Sequence, residues 1–204
     1  MKIDEICRAR ADFYAFLSRM FVEEPPFELA EDIARGQFPF PETSSLNEEF
    51  SRGIDLLAKF MKTGKDATKI HRALGDEYTR LFLGPVPVMF PYESMYVEGS
   101  MMSKPLLTVK KEYRMAGLTR VEGYHEPEDH IAMELGFMSR LCQEQSDESL
   151  RRQRDFLHNH LLKWVPGFCN DLCRKSDNDF WKGIGKLTEG FMILEKDVLG
   201  ELAL

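Results

Sequence analysis

The first stretch of residues suited to chemistry runs from Tyr78 to Tyr96. It reads Tyr-Thr-Arg-Leu-Phe-Leu-Gly-Pro at 78–85 and Phe-Pro-Tyr-Glu-Ser-Met-Tyr at 90–96. Prolines stiffen this segment, and its aromatic side chains surround a single carboxylate, Glu93. A stiff aromatic surface binds peptides with little loss of conformational entropy. The stretch therefore predicts a peptide-binding surface, although the same aromatic residues could equally cover the core.

The second stretch runs from Glu126 to Met138 and is acidic. Glu126, Glu128 and Asp129 stand at a predicted helix start, where the helix dipole favours negative charge. His130 and Glu134 are four residues apart and so share one helix face. Residues 122–148 contain eight acidic residues and one arginine, so a basic ligand is the natural complement of this region.

Two metal-site interpretations compete with peptide binding. Asp129, His130 and Glu134 could serve a helical metal-dependent hydrolase, which is the alternative function, but the His-Asp order is reversed from that of helical phosphohydrolases. The His-x-His and Cys-x-x-x-Cys pairs within 158–173 suggest zinc, yet the cysteine spacing is too wide and Pro166 intervenes. We expect no metal, no cofactor and no catalytic residue, and we expect the four cysteines to be reduced thiols.

Charge and composition exclude several classes of protein. The chain has 204 residues and a formal net charge of −7, and it contains no basic cluster with interleaved aromatic residues, which disfavours nucleic-acid binding. No run approaches the ~20 apolar residues of a membrane span, and the N-terminus lacks the apolar region of a signal peptide. We therefore expect a cytoplasmic protein without membrane insertion.

Helical periodicity dominates the elements that must position these residues. Apolar residues repeat at helical spacing, and no stretch alternates long enough to indicate a sheet, so the chain is predicted to be all-α. Loops are expected at 36–44 and across 84–105, and a proline in the first helical turn at Pro127. Pro166 is expected to end a helix. Asp66 is a candidate N-cap of the third predicted helix. The predicted helices are centred on the segments 6–20, 50–61, 70–82, 105–113, 127–142, 147–165, 168–173 and 180–198.

The motifs resemble those of a known family. Tyr-x-Arg-Leu-Phe-x-Gly-Pro, Pro-Tyr-Glu-Ser-x-Tyr and Glu-Pro-x-Asp-His-Ile-x-x-Glu-Leu-x-Phe-Met occur here in the order typical of TorD/DmsD/NarJ-type chaperones for molybdoenzymes. A weaker similarity is Phe-x-x-x-His-Leu-x-x-Trp at 156–164. Family members often carry tryptophan in the first loop, where this chain offers only Phe90 and Tyr92, so the client is left open.

The resemblance implies a TorD/DmsD-like fold of roughly ten helices in two halves. These would be residues 1–117 and 126–204, joined by a hinge at 118–125. It also implies a chaperone that holds the apo catalytic subunit of a molybdopterin-containing oxidoreductase, often through its twin-arginine leader, until the cofactor is inserted. A monomer and a domain-swapped homodimer are both compatible with such a hinge.

The resemblance further assigns a leader-binding surface, expected in a cleft beside the hinge. Carboxylates accept the forked guanidinium of arginine, and aromatic faces attract cations. The residues carried over are Pro91, Tyr92, Glu93, Ser94 and Tyr96 from the first motif, and Glu126, Pro127, Asp129 and His130 from the second.

Overall fold

The computed structural model describes residues 3–38, 47–119, 126–144 and 146–201. The described part of the chain contains helices and no strand, which confirms the all-α prediction; its one extended pairing is an isolated antiparallel bridge between Tyr92 and His130. The helices are α1 (Ile3–Val22), α2 (Phe27–Ala34), α3 (Glu48–Met61), α4 (Ala67–Tyr78), α5 (Glu93–Glu98), α6 (Lys104–Met115), α7 (Ile131–Cys142), α8 (Asp147–Phe156), α9 (Leu162–Lys175) and α10 (Asp179–Glu201). Two π-helical turns extend them, Thr79–Leu83 after α4 and Leu157–Leu161 between α8 and α9.

Side-chain caps fix several helix starts. Asn47 accepts from the backbone N–H of Phe50 at 2.9 Å and begins α3. Asp66 accepts from two backbone N–H groups of α4, as predicted, and Ser146 caps α8. Each cap satisfies donors that the first helical turn leaves without partners, which is why short polar residues mark these boundaries.

The structure differs from the sequence prediction at several places. Residues 27–34 form α2, and α5 lies inside the segment predicted as loop, because both helices are shorter than the windows in which periodicity is visible. Pro127 does not occupy the first turn of a helix, since α7 begins at Ile131 with His130 as its N-cap.

Pro166 lies inside α9 and does not end it. A proline within a helix costs about 3 kcal/mol, because it lacks an N–H and crowds the preceding turn. Trp164, Val165 and Phe168 beside it are almost fully buried, and each large buried side chain contributes about 1.5–3 kcal/mol. The free energy gained by burying these side chains therefore exceeds the cost of the proline. The π-helical turn five residues upstream also shifts the hydrogen-bond register.

Contacts divide the chain into two compact units. Unit 1 comprises Met1–Val22, Pro91–Gly167 and Glu195–Leu204, and unit 2 comprises Glu23–Phe90 and Phe168–Leu194. Each unit draws residues from both predicted halves, and α9 and α10 each contribute to both units. Residues 120–125 of the predicted hinge lie outside the described residues, so the hinge stays a prediction.

Unit 1 is organised by α1 against α7, and a buried ion pair joins α1 to the end of α10. Arg10 donates from Nε and Nη2 to the two carboxylate oxygens of Glu195, both at 2.7 Å. Unit 2 contains a close approach of α3 and α10. A Cβ on Gly190 would lie 2.5 Å from the backbone nitrogen of Phe50, so only glycine fits there. None of the described helices is long and apolar enough to cross a membrane.

Candidate peptide-binding site

A short backbone bridge in unit 1 joins the two sequence motifs. The N–H of Glu93 donates to the carbonyl of Asp129 at 2.9 Å, and the N–H of Ile131 donates to the carbonyl of Pro91 at 2.9 Å. Such a pair of bonds between extended residues fixes both segments relative to each other. The structure therefore brings together, as one site, two motifs that are some 35 residues apart in sequence.

Asp129 holds the start of α5. Its Oδ2 accepts from the N–H of Ser94 at 3.0 Å, and its side chain is buried. A carboxylate at this position satisfies an unpartnered donor of the first helical turn and interacts favourably with the helix dipole. Since Asp129 and Ser94 are both buried, they shape the site from beneath and do not line its surface.

A buried chain of hydrogen bonds runs under the bridge. The Oε2 of Glu93 lies 2.8 Å from Nδ1 of His160, and Nε1–H of Trp164 donates to Oε2 of Glu134 at 3.0 Å. Burial raises the pKa of Glu134 well above its usual value, and the neighbouring charge of Glu93 raises it further. A proton retained on Glu134 gives its second oxygen a hydrogen to donate to Glu93, so the two carboxyl groups attract each other.

His160 and Trp164 were not among the predicted site residues. The family-like spacing of Phe156, His160 and Trp164 includes both residues, and the zinc interpretation includes His160, but neither pattern indicates what these residues contact. The ring of Phe156 stacks on that of His160 with centroids 4.6 Å apart. The π-helical turn at Leu157–Leu161 contains His160, and a periodicity argument that assumes regular α-helix does not reveal such a turn.

The accessible part of the site consists of Tyr92, Tyr96, Glu126 and Pro127, which are all half-buried. The hydroxyl of Tyr92 donates to Oε2 of Glu126 at 2.6 Å. The ring of Tyr96 lies 5.7 Å from that of Trp164, measured between centroids. The predicted surface thus separates into this accessible group and a buried group, which comprises Pro91, Glu93, Ser94, Asp129 and His130.

His130 caps α7 and is neutral. Its Nδ1 accepts from the N–H of Ala132 at 3.2 Å, and its ring meets that of Tyr92 edge-on at 5.2 Å. Burial lowers the pKa of His130 to about 4, against the opposing charge of Glu126. A neutral ring whose Nδ1 accepts must carry its hydrogen on Nε2. The residue is therefore a structural cap at neutral pH rather than a cation.

The second motif is also held by α6. The hydroxyl of Tyr113 donates to the carbonyl of Glu128 at 3.0 Å, and Nζ of Lys110 lies 3.3 Å from the Glu128 carboxylate. These contacts fix the turn that carries Glu126 and Pro127. The acidic turn is thus anchored by α6 on one side and by the bridge to Pro91–Glu93 on the other.

The alternative metal site was assigned to Asp129, His130 and Glu134. In the structure each contacts a different protein group: Asp129 the start of α5, His130 the start of α7, and Glu134 the indole of Trp164. Among the residues that the structure describes, no group of three or more His, Cys, Asp or Glu side chains could hold a metal ion.

Comparison with known proteins agrees with the motifs. Residues 43–170 match the model of the family described as nitrate reductase delta subunit. This chain belongs to that family. The match includes both motifs and every residue of the predicted site, and it confirms the resemblance to TorD/NarJ-type proteins noted from the sequence.

Several known proteins resemble this chain over nearly its whole length. The chaperone protein TorD of Vibrio cholerae strain O395 is 28% identical over 208 residues, covering 95% of this chain and 93% of the relative. TorD of Vibrio parahaemolyticus is 26% identical, covering 94% and 95%. A crystal structure from Archaeoglobus fulgidus, described as a redox enzyme maturation protein, is 26% identical with a TM-score of 0.47, covering 94% and 93%.

Proposed function

We propose that this protein is a chaperone for the maturation of a molybdopterin-containing oxidoreductase. It holds the apo catalytic subunit through an arginine-containing leader, before the cofactor is inserted, and it catalyses no reaction itself. Family membership and the similarity to TorD chaperones support the general role. The bridge between Pro91–Glu93 and Asp129–Ile131 supports the binding site, because it places aromatic and acidic residues side by side.

The chemistry of the accessible residues suits a cationic, partly apolar peptide. Tyr92 and Tyr96 offer half-exposed aromatic rings, and Glu126 offers a half-exposed carboxylate. An arginine guanidinium can pair with a carboxylate through two hydrogen bonds and can also stack on an aromatic face. In this proposal Glu126 pairs with an arginine of the leader, and the two tyrosines contact that arginine and the apolar residues beside it.

The buried residues of the predicted surface act indirectly in this proposal. Glu93, Asp129 and His130 are 3%, 1% and 5% exposed, too little for direct contact with a peptide. They hold α5 and α7 so that Tyr92 and Tyr96 keep their positions. Such rigid support lowers the entropic cost of binding, because the surface is already arranged before the peptide arrives.

Calorimetry with a leader peptide tests the proposal. We expect Glu126→Gln to weaken a peptide with two arginines by about 1 kcal/mol, roughly fivefold, through loss of a charge-assisted hydrogen bond. Tyr96→Ala should weaken it similarly by removing an aromatic face. Glu98→Gln is the matched control, because Glu98 is an exposed acid on the same helix as Tyr96 but outside the proposed surface.

A second peptide, in which both arginines are replaced by glutamine, completes the test. It should bind weakly to the wild-type protein and be insensitive to Glu126→Gln. Equal affinity for both peptides, or equal losses in Glu126→Gln and Glu98→Gln, would contradict the proposed site. The general role is tested separately by purification from the native cell, where a molybdoenzyme subunit should be recovered with the protein.

A further inference from the structure

One face of α6 carries exposed cations and exposed apolar side chains, on a protein whose net charge is −7. At 100° per residue, six exposed residues fall within an arc of about 120°. The arc holds three cations, two large apolar side chains and no acid, while the opposite side of the helix is buried through Pro105, Leu106 and Val109. The six residues are Lys104, Leu107, Thr108, Lys111, Arg114 and Met115.

Three cations, Lys104, Lys111 and Arg114, lie on this face. Within the described residues, Lys104, Lys111 and Arg114 form no ion pair, whereas Lys110, at the edge of the face, pairs with Glu128 at 3.3 Å. The chain as a whole carries a net charge of −7. A local excess of positive charge on such a protein favours a negatively charged partner.

The face is also apolar. Leu107 and Met115 are 65% and 52% exposed. The loop that leads directly into α6 exposes Met101 and Met102, of which Met102 is 70% exposed. Single exposed apolar residues are ordinary, but a group of them beside unpaired charges is typical of interaction surfaces. Methionine suits such surfaces because its unbranched, polarisable side chain adapts to its partner.

Met102 supplies a separate observation, because its backbone is strained. It has a φ of 58°, and it is the one non-glycine residue with positive φ in the described part of the chain. Residues with a Cβ atom disfavour a positive φ, whereas glycine adopts it without strain, as Gly99 does three residues earlier. The chain thus keeps a large, exposed apolar side chain where glycine would fit the backbone better, and Met102 contributes little to packing.

We propose that the α6 face, formed by the six residues above with Met101 and Met102, binds an acidic amphipathic helix of a protein partner. The apolar side of that helix would contact Leu107, Met102 and Met115, and its flanking carboxylates would pair with the cations. A protein helix fits better than a lipid surface, because three cations are fewer than the four to eight of typical membrane-binding clusters. This surface goes beyond the proposed function, since the leader surface is acidic and attracts cations.

Fluorescence anisotropy with a synthetic probe tests this surface. The probe is a helical peptide of about 18 residues, roughly five turns, with leucine at i, i+3, i+4 and i+7 spacing and glutamate elsewhere. We expect binding that weakens as salt rises from about 50 to about 300 mM. Lys111→Glu with Arg114→Glu should weaken binding about tenfold. Lys69→Glu with Arg72→Glu is the control, because these exposed cations of α4 have the same spacing.

Met102→Gly separates binding from folding. If Met102 is kept for a partner, the variant should bind the acidic peptide several-fold more weakly while its Tm stays equal or rises by about 2 °C. A Tm lowered by several degrees with unchanged peptide affinity would show a packing residue and overturn the proposal. Absence of peptide binding, equal losses in the α4 control, or tighter binding to phosphatidylglycerol vesicles would also overturn it. Leader binding should be unchanged in all these variants, so the two proposals fail independently.

Discussion

The proton held by Glu134 should make the stability of unit 1 depend on pH in a defined direction. Glu134 is fully buried and accepts from Trp164, and its pKa is raised by burial and by the charge of Glu93. A carboxyl group with a raised pKa in the folded state takes up a proton on folding. Its contribution to stability is therefore full below the unfolded pKa and declines as the pH rises towards the folded pKa.

Glu134→Gln removes this dependence while preserving the contacts. Glutamine has nearly the same shape, accepts from Trp164 through its amide oxygen and can donate its N–H to Glu93. While Glu134 stays protonated, the wild type loses about 1.4 kcal/mol of unfolding free energy per pH unit relative to the variant. This relative loss accumulates over the pH range in which Glu134 keeps its proton in the folded protein.

Urea unfolding followed by tryptophan fluorescence measures the difference. Trp181→Phe, introduced in both proteins, leaves Trp164 as the reporter of unit 1. Glu134→Leu is the control, because it also lacks the titrating group but leaves the indole N–H without an acceptor, a loss of about 1–3 kcal/mol. A difference between wild type and Glu134→Gln that stays constant from pH 5 to pH 7 would refute the reasoning, because it would mean that Glu134 is ionised in the folded protein.

Three further changes test other parts of the fold by urea unfolding. His130→Asn keeps an N-cap acceptor and removes a group whose pKa is lowered from 6.5 to about 4. A base with a depressed pKa loses its stabilising contribution as pH falls. The unfolding free energy of the variant should therefore rise relative to that of the wild type by about 3 kcal/mol from pH 6.5 to pH 4 (2.5 pH units). A difference in unfolding free energy that does not change with pH would contradict this. Arg10→Met should lower stability by about 3–5 kcal/mol, because it leaves Glu195 charged and buried, and a loss below about 1 kcal/mol would contradict the role of the pair. Gly190→Ala should destabilise the protein by about 1–3 kcal/mol, because a Cβ there would lie 2.5 Å from the backbone of α3. Gly200→Ala is the control and should be neutral or stabilising, because the space around Gly200 is open. Equal effects of the two substitutions would contradict the close approach of α3 and α10.

Periodicity and capping predicted most of the helices, because long helices with one buried side leave a clear pattern in sequence. The short helices α2 and α5 were missed for the opposite reason, since eight and six residues give too few repeats. The helix end predicted at Pro166 is wrong because the local preference of proline is only one contribution. The burial of Trp164, Val165 and Phe168 stabilises α9 through this position, and that burial depends on tertiary structure.

Prediction of the site residues from sequence is limited by the same lack of tertiary contacts. Their types and order identified the family, but sequence alone did not separate accessible residues from buried ones. Asp129 and Glu126 are both acids in one turn, yet Asp129 is 1% exposed and caps α5 while Glu126 is half-buried beside Tyr92. His160 and Trp164 were not predicted to belong to the site, because their partners, Glu93 and Glu134, lie far away in sequence. Such long-range pairings arise only when the chain folds.

The ion pair between Arg10 and Glu195 has a consequence for biosynthesis. The two residues are 185 positions apart, and unit 1 takes its first segment from the start of the chain and its last from the end. During translation Arg10 therefore cannot form this ion pair until 185 further residues have been synthesised. A nascent chain that stops before Glu195 cannot complete unit 1, which contains the proposed leader site. The order of synthesis thus places completion of the proposed leader site after the synthesis of Glu195, and fragments that end before Glu195 should bind a leader peptide more weakly than the full chain.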